Sequence, residues 1–422
     1  MATGPVRATL RPPGSKSMTA RALVLAALSD GPSTLRSPLR ARDTALMAGG
    51  LRALGSYISM MDDERWVVRP RPLLGPARVD VGLAGTVMRF LPAVAALADG
   101  PVTFDGDEAA RHRPQQPLVA ALRAAGVRIS VAARGSLPLT VHGTGQVTGG
   151  DLPVDASASS QFVTGLLLAA PRFARGARVR HTGARLPSQP HLRMTVQMLR
   201  AAGAGVDDGT AGVWVVAPGK LAGRGWEIEP DLSGAAPFLA AALVTGGEVT
   251  VPGWSHHAVQ PGDRIRALLE ELGGSCLLTP RGMTVRGSGA IRAIDADLSD
   301  VSELTPVVAA LCVLADGPSR LRGVAHIRGH ETDRLAALAQ ELSKLGAGVE
   351  ETPDGLAIRP RPLRGAAFET YHDHRMAHAA AVVGLVVPGV RLTDVACTSK
   401  TLPEFPALWS SMVTGQRERQ EG

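Results

Sequence analysis

A unit of roughly 70 residues returns six times along the chain, longer than a solenoid repeat, so each copy must be a supersecondary unit in its own right. Every copy runs from a polar motif into an Ala-rich apolar stretch, a small-residue turn and a β-branched strand. The motifs are Gly14-Ser15-Lys16-Ser17, Leu83-Ala84-Gly85-Thr86-Val87-Met88-Arg89 and Asp155-Ala156-Ser157-Ala158-Ser159-Ser160-Gln161-Phe162 in the first half. Asp231-Leu232-Ser233-Gly234-Ala235, Asp297-Leu298-Ser299-Asp300-Val301-Ser302-Glu303 and Tyr371-His372-Asp373-His374-Arg375-Met376 follow in the second. A second marker runs between them: Leu54-Gly55, Ala125-Gly126, Ala202-Gly203, Leu272-Gly273 and Leu345-Gly346. Each glycine suits the left-handed position that stops a helix, and a strand-like stretch follows each. Each unit therefore carries two helices and several strands, which predicts an α/β fold. If the units assemble with pseudo-symmetry, several helix N-termini converge and concentrate positive potential, a setting for a small polyanion.

The length of 422 residues allows two domains or one large one. Aromatic residues make up only 3%, so Ala, Gly, Val and Leu must build the core. A formal charge of +7 points to acidic ligands. Nucleic acid is disfavoured, because the arginines are spread along the chain and few aromatics are present to stack on bases. Cys276, Cys312 and Cys397 are odd in number and far apart, which excludes a disulfide framework and a zinc spacing. The N-terminus lacks a signal pattern, and apolar runs such as 307–315 fall short of a membrane span, so a soluble, cytoplasmic protein is expected.

The chemistry-bearing residues cluster at the motifs. Lys16 and Arg21 place a point charge and a planar fork at a helix start, where free N–H groups favour an anion. Asp43 reads as the N-cap of the following helix. Gly85-Thr86 reads as a close backbone approach to a ligand, and Arg113 as an anion clamp in a polar turn. Ser159, Ser160 and Gln161 offer hydroxyls and an amide at a helix start, more than capping needs. Ser188 lies in a turn before a helix. Asp300 and Glu303, three apart, can share one helical face. The stretch His326-Ile327-Arg328-Gly329-His330-Glu331-Thr332-Asp333-Arg334 is denser in polar groups than solvation requires. Asp373-His374-Arg375-Met376 and Ser399-Lys400-Thr401-Leu402-Pro403-Glu404-Phe405 complete the set. No His/Cys/carboxylate spacing reads as a metal site, and there is no dinucleotide fingerprint or Walker loop. The polar tail after Trp409 is expected to fray.

The motifs Pro13-Gly14-Ser15-Lys16-Ser17, Ala84-Gly85-Thr86-Val87-Met88-Arg89, Ser159-Ser160-Gln161-Phe162, Glu331-Thr332-Asp333-Arg334, Asp373-His374-Arg375-Met376 and Lys400-Thr401-Leu402-Pro403 carry a resemblance. Over its whole length the chain resembles the 5-enolpyruvylshikimate-3-phosphate synthase family. That resemblance implies a two-domain inside-out α/β barrel of six βαβαββ units in pseudo-threefold domains. It implies a lower domain of residues 1–13 plus 230–422, an upper domain of 14–229, and a site in the cleft between them. The implied reaction joins phosphoenolpyruvate to the 5-hydroxyl of shikimate 3-phosphate and releases phosphate, with no metal or organic cofactor. Lys16, Ser17, Arg21, Ser159, Ser160, Gln161, Ser188, Glu303 and His330 would hold shikimate 3-phosphate. Lys16, Gly85, Arg113, Gln161, Arg334, Arg375 and Lys400 would hold phosphoenolpyruvate. Glu303 is assigned as base on the 5-hydroxyl with Asp300 as its substitute, and Glu331, Lys16 and Lys400 complete the catalytic set. Gly85 is the position that in this family leaves room for glyphosate, so sensitivity is expected.

Four positions depart from the commoner family pattern: Leu83 for Asn, His191 for Tyr, His330 for Lys and Val301 for Asp. At His330 a fixed charge gives way to an imidazole. The nearest rival is the related enolpyruvyl transferase acting on UDP-N-acetylglucosamine, which in most members uses a mobile-loop cysteine. None of the three cysteines here lies in such a polar loop. An RNA-binding reading would require steep salt dependence. The expected partners are small anionic substrates, with no nucleic acid or membrane, and a monomer is expected.

Overall fold

The computed structural model describes residues 1–61, 64–132 and 135–415. The local signals set the elements. The Lys16–Ala27 helix starts at Ser15, whose hydroxyl accepts from the Met18 amide. Asp231 and Asp373 cap the Leu232–Thr245 and His374–Gly384 helices in the same way. The five stop glycines Gly55, Gly126, Gly203, Gly273 and Gly346 all have φ between 91° and 109°, a conformation that an L side chain resists. Asp43 corrects one expectation. Its helix, Arg42–Ala53, begins from Ala41, and Thr44 accepts from the Ala41 amide, so the Asp43 carboxylate is turned to another task. The last helix, Phe405–Thr414, extends past Trp409 and closes on Gly415; residues 416–420 of the expected tail lie outside the described residues.

The chain divides into two compact units, Met1–Pro13 with Glu229–Gly422, and Gly14–Ile228. Within each, one sheet plan repeats: a strand, a helix, a parallel neighbour strand, a second helix, then an antiparallel hairpin. In the second repeat Ala77–Asp80 pairs parallel with Asp99–Asp105, which pairs antiparallel with Leu139–Thr144 and through it with Arg128–Val131. Gly150–Val154, Ala177–His181, Val213–Val216 and Val206–Asp207 repeat the order. So do Asp295–Asp297, Ser319–Arg322, Gly355–Arg359 and Gly348–Thr352. The sixth sheet keeps only its parallel pair, Ala367–Phe368 with Arg391–Leu392.

This pairing explains why one unit is discontinuous in sequence. Arg7–Thr9 supplies the first strand of the fourth sheet by pairing with Glu248–Thr250. Gly225–Glu227 supplies the first strand of the first sheet by pairing with Thr34–Arg36. Each unit thus completes a sheet with the segment that arrives from, or leaves for, the other unit's stretch of sequence.

The core of each unit is three helices buried almost all round, which is what Ala- and Leu-rich stretches without a polar stripe require. In the Gly14–Ile228 unit these are Lys16–Ala27, Gly85–Ala95 and Gln161–Ala169, each packed on the other two. In the other unit they are Leu232–Thr245, Thr305–Cys312 and His374–Gly384, again in mutual contact. Every one of these six helices begins at one of the repeated polar motifs. Among the described residues no helix is long and apolar enough to cross a membrane.

Candidate functional site

The two units each carry a cluster of charged groups at their helix starts. In the Gly14–Ile228 unit, Lys16 opens its helix and its Nζ lies 3.3 Å from the buried Asp43 carboxylate. Asp43 therefore aims the lysine rather than capping a helix. Ser17, one residue on, is half-buried. Arg21 lies deeper than expected: it is 1% exposed, and its guanidinium donates to the Thr195 hydroxyl, the Ser17 carbonyl and the His191 carbonyl. It ties the Lys16–Ala27 and Gln189–Ala201 helices together beneath Ser17.

The second and third motifs converge. Arg89 Nη1 donates to Gln161 Oε1 at 2.8 Å, while the Arg89 guanidinium stacks over Phe162. A Cβ placed on Gly85 would meet Gln161 Oε1 at 3.1 Å, Arg113 Nη2 at 3.3 Å and Arg89 Nη1 at 3.3 Å. Gly85 is thus small because three polar side chains crowd its missing side chain. Arg113 is held from below by the Leu83 carbonyl, at 3.3 Å, so Leu83 contributes its backbone where its side chain has no polar group to offer. Ser159 accepts from the Gln161 amide and Ser160 occupies the cap position of that helix. Ser188 takes a left-handed conformation, φ 54°, at the start of Gln189–Ala201, without a side-chain cap bond.

In the other unit the three helix starts meet around Arg375. Its Nη1 donates to the Ser233 carbonyl at 3.4 Å, its backbone amide donates to Asp373 Oδ1 at 2.9 Å, and it lies within electrostatic reach of Asp231 and Glu303. Burial and then the neighbouring Arg334 charge pull its pKa below the ordinary arginine value, against the three carboxylates. Arg334 is 2% exposed and grips Asp373 with two bonds, Nε to Oδ2 at 2.7 Å and Nη2 to Oδ1 at 3.2 Å. Glu331 Oε2 accepts a further bond from Nη2 at 2.8 Å. Burial acts to lower the Arg334 pKa, but Asp373, Glu331 and Glu303 outweigh it, and the net shift is upward. The other oxygen of Glu331 accepts from Lys400 Nζ at 2.7 Å, and Lys400 is itself buried. His330 Nδ1 lies 3.0 Å from Arg334 Nη1. A guanidinium can only donate, so Nδ1 accepts and the ring proton resides on Nε2.

Glu303 lies in a 3₁₀ turn, Ser302–Leu304, entered from Val301 with φ −144°. Val301, with ψ 41°, is neither helical nor extended, and it breaks the single helical face expected for Asp300 and Glu303. Asp300 is exposed, whereas Glu303 is half-buried and acts on both Arg334 and Arg375.

The structure therefore gathers Gly85, Arg113 and Gln161 in one unit and Glu303, His330, Glu331, Arg334, Arg375 and Lys400 in the other. It adds three residues that sequence reasoning did not assign: Asp43, Arg89 and Asp373. Arg89 could have been found, since it lies one helical turn beyond Gly85 and so on its face. Asp43 was visible only as a cap, and Asp373 only as part of the Asp373-His374-Arg375-Met376 motif.

The family profile of EPSP synthase (3-phosphoshikimate 1-carboxyvinyltransferase) matches residues 1–409. The chain belongs to this family. A 3-phosphoshikimate 1-carboxyvinyltransferase of Kocuria rhizophila is 52% identical over 419 residues, covering 97% of this chain and 94% of that protein. Among solved structures, an EPSP synthase of Acinetobacter baumannii superposes with a TM-score of 0.80 at 22% identity, covering 97% of this chain and 96% of that one. The enolpyruvyl transferase NikO of Streptomyces tendae gives a TM-score of 0.76 at 17% identity over the same shares. These two likenesses establish the enolpyruvyl-transferase fold; the family assignment rests on the profile and the 52% relative.

Proposed function

We propose that this chain transfers the enolpyruvyl group of phosphoenolpyruvate to the 5-hydroxyl of shikimate 3-phosphate, giving 5-enolpyruvylshikimate 3-phosphate and phosphate. The observation that carries this reading is the near full-length relation to a 3-phosphoshikimate 1-carboxyvinyltransferase. The clustered cations support it, because two multiply charged anions must be brought together against their mutual repulsion.

In this reading Lys16, Ser17, Ser159, Ser160, Gln161 and Ser188 hold shikimate 3-phosphate, with Arg21 behind Ser17 and with His330. Gly85, Arg113, Arg334, Arg375 and Lys400 hold phosphoenolpyruvate, aided by Lys16 and Gln161. Glu303 takes the 5-hydroxyl proton as that oxygen bonds to C2 of phosphoenolpyruvate and a proton is added at C3. The tetrahedral intermediate then loses phosphate and a C3 proton, which restores the double bond. The Lys400–Glu331 pair is the proton-handling group at C3: an ammonium and a carboxylate 2.7 Å apart can give and take the same proton.

The sister reaction on UDP-N-acetylglucosamine relies in most members on a reactive thiol. Burial pushes Cys276 and Cys312 up to about 12 and Cys397 up to about 11, so none of these thiols supplies a thiolate near neutral pH. A monomeric cytoplasmic enzyme inhibited by glyphosate completes the proposal. The test is phosphate release by the purified protein with phosphoenolpyruvate and either acceptor. Release with shikimate 3-phosphate alone is expected; release with the nucleotide sugar alone would overturn the reading.

A further inference from the structure

Behind the arginine cluster lies a buried carboxylate that the reaction does not use. Glu341 is fully buried on the Arg334–Lys344 helix. It follows Arg334 by seven residues, two helical turns, so both side chains leave the same face. Both reach the segment that precedes the His374–Gly384 helix. Glu341 Oε1 accepts from the Tyr371 hydroxyl at 2.7 Å and from Lys344 Nζ at 2.6 Å, and Oε2 accepts from the Glu369 amide at 2.9 Å. Glu369 in turn accepts from the Thr370 and Tyr371 amides.

The segment held this way is strained. Tyr371 and His372 have φ of 53° and 54°, two successive side-chain-bearing residues in the left-handed region. Such a turn persists only where its surroundings over-determine it, and it tends to occur at functional sites. Directly after it comes Asp373, which takes the two Arg334 bonds and caps the helix that carries Arg375. One helix is thus clipped to one turn at two points, through Arg334 to Asp373 and through Glu341 to residues 369–371. Burial, with Glu341 beside it, pushes the Tyr371 hydroxyl above its ordinary value, so Tyr371 keeps the proton it donates. If the site needed only packing, an apolar pair of similar volume would serve as well as a buried carboxylate.

We infer that Glu341, acting with Tyr371, is a positioning residue for phosphoenolpyruvate: it locks the left-handed Tyr371–His372 turn and thereby sets the angle at which Asp373 presents Arg334 and Arg375. This rests on the assignment of those arginines to phosphoenolpyruvate in the reading above. Tyr371→Phe removes one hydroxyl and keeps the ring, and Glu341→Gln keeps the shape.

The test is steady-state kinetics on the full chain, varying each substrate at saturation of the other, with hydrogen exchange of the amides of residues 369–375. Both variants should raise the KM for phosphoenolpyruvate by about tenfold, the reading of about 1.4 kcal/mol of lost binding. The KM for shikimate 3-phosphate should stay within about twofold, and exchange at 369–375 should rise. Equal changes in both KM values, or a lower melting temperature without the split, would overturn the inference. If the wild type proves inactive with shikimate 3-phosphate, the functional reading fails. The positioning claim then stands or falls on hydrogen exchange, where unchanged protection at 369–375 overturns it.

Discussion

Asp373→Asn tests the cluster at its most buried bond. Asp373 is fully buried and Arg334 nearly so, and the pair makes two hydrogen bonds at 2.7 and 3.2 Å. Asparagine keeps the shape but removes the charge and turns an NH₂ toward a guanidinium that can only donate. Removing one partner of a buried pair costs about 3–5 kcal/mol, because the remaining charge stays buried. Glu331 still reaches Arg334 at 2.8 Å, so the lower end of the range, about 3 kcal/mol, applies. For a unit of this size each kcal/mol is about 2–4 °C, so calorimetry should show the transition of that unit lowered by about 6–12 °C. Removing the Asp373 charge also leaves Arg334 poorly oriented, so the KM for phosphoenolpyruvate should rise in parallel. A shift below about 3 °C would refute the reasoning, since it would mean that the Arg334 charge is neutralised without Asp373.

Glu303→Gln should abolish turnover while calorimetric binding of shikimate 3-phosphate persists, and Asp300→Asn should leave turnover near normal; the reverse pattern would move the base to Asp300. Gly85→Ala should fold normally, because its Cβ meets only side-chain ends at 3.1–3.3 Å, yet it should raise the KM for phosphoenolpyruvate about fivefold, the reading of about 1 kcal/mol of crowding, and weaken glyphosate inhibition. His378, 1% exposed and with no hydrogen-bond partner for either ring nitrogen among the described residues, has its pKa lowered to about 3 by burial, then by Arg375 and Arg334. The unfolded chain takes up this proton near pH 6.5 and the folded chain only near 3, so stability is full above 6.5 and falls as pH drops toward 3. His378→Phe should flatten that acid limb in melts between pH 7 and 4; an unchanged slope would remove His378 from the account.

Most of the repeat was legible in the chain because its signals are local. A hydroxyl or carboxylate before an Ala-rich stretch starts a helix, and a glycine that tolerates positive φ stops it, wherever the rest of the chain lies. The same locality explains the misreadings. Asp43 looked like a cap because its neighbours in sequence were all that could be weighed, and its partner Lys16 lies 27 residues away. Asp300 and Glu303 were expected on one helical face, but the non-helical Val301 between them leaves Asp300 exposed and Glu303 within electrostatic reach of Arg334. The depth of Arg21 was likewise not legible, because the Thr195 hydroxyl and His191 carbonyl that hold it lie 170 or more positions away.

The sequence by itself determined the six units, the helix starts and stops, and the family. The tertiary structure alone decided which polar groups meet: Arg89 with Gln161 across 72 positions, Arg334 with Asp373 across 39, Lys400 with Glu331 across 69. Charges at a helix end are fixed by short-range geometry, but their partners depend on which helix ends the buried apolar faces bring side by side. Packing of three helices in each unit settles that, and no spacing along the chain encodes it.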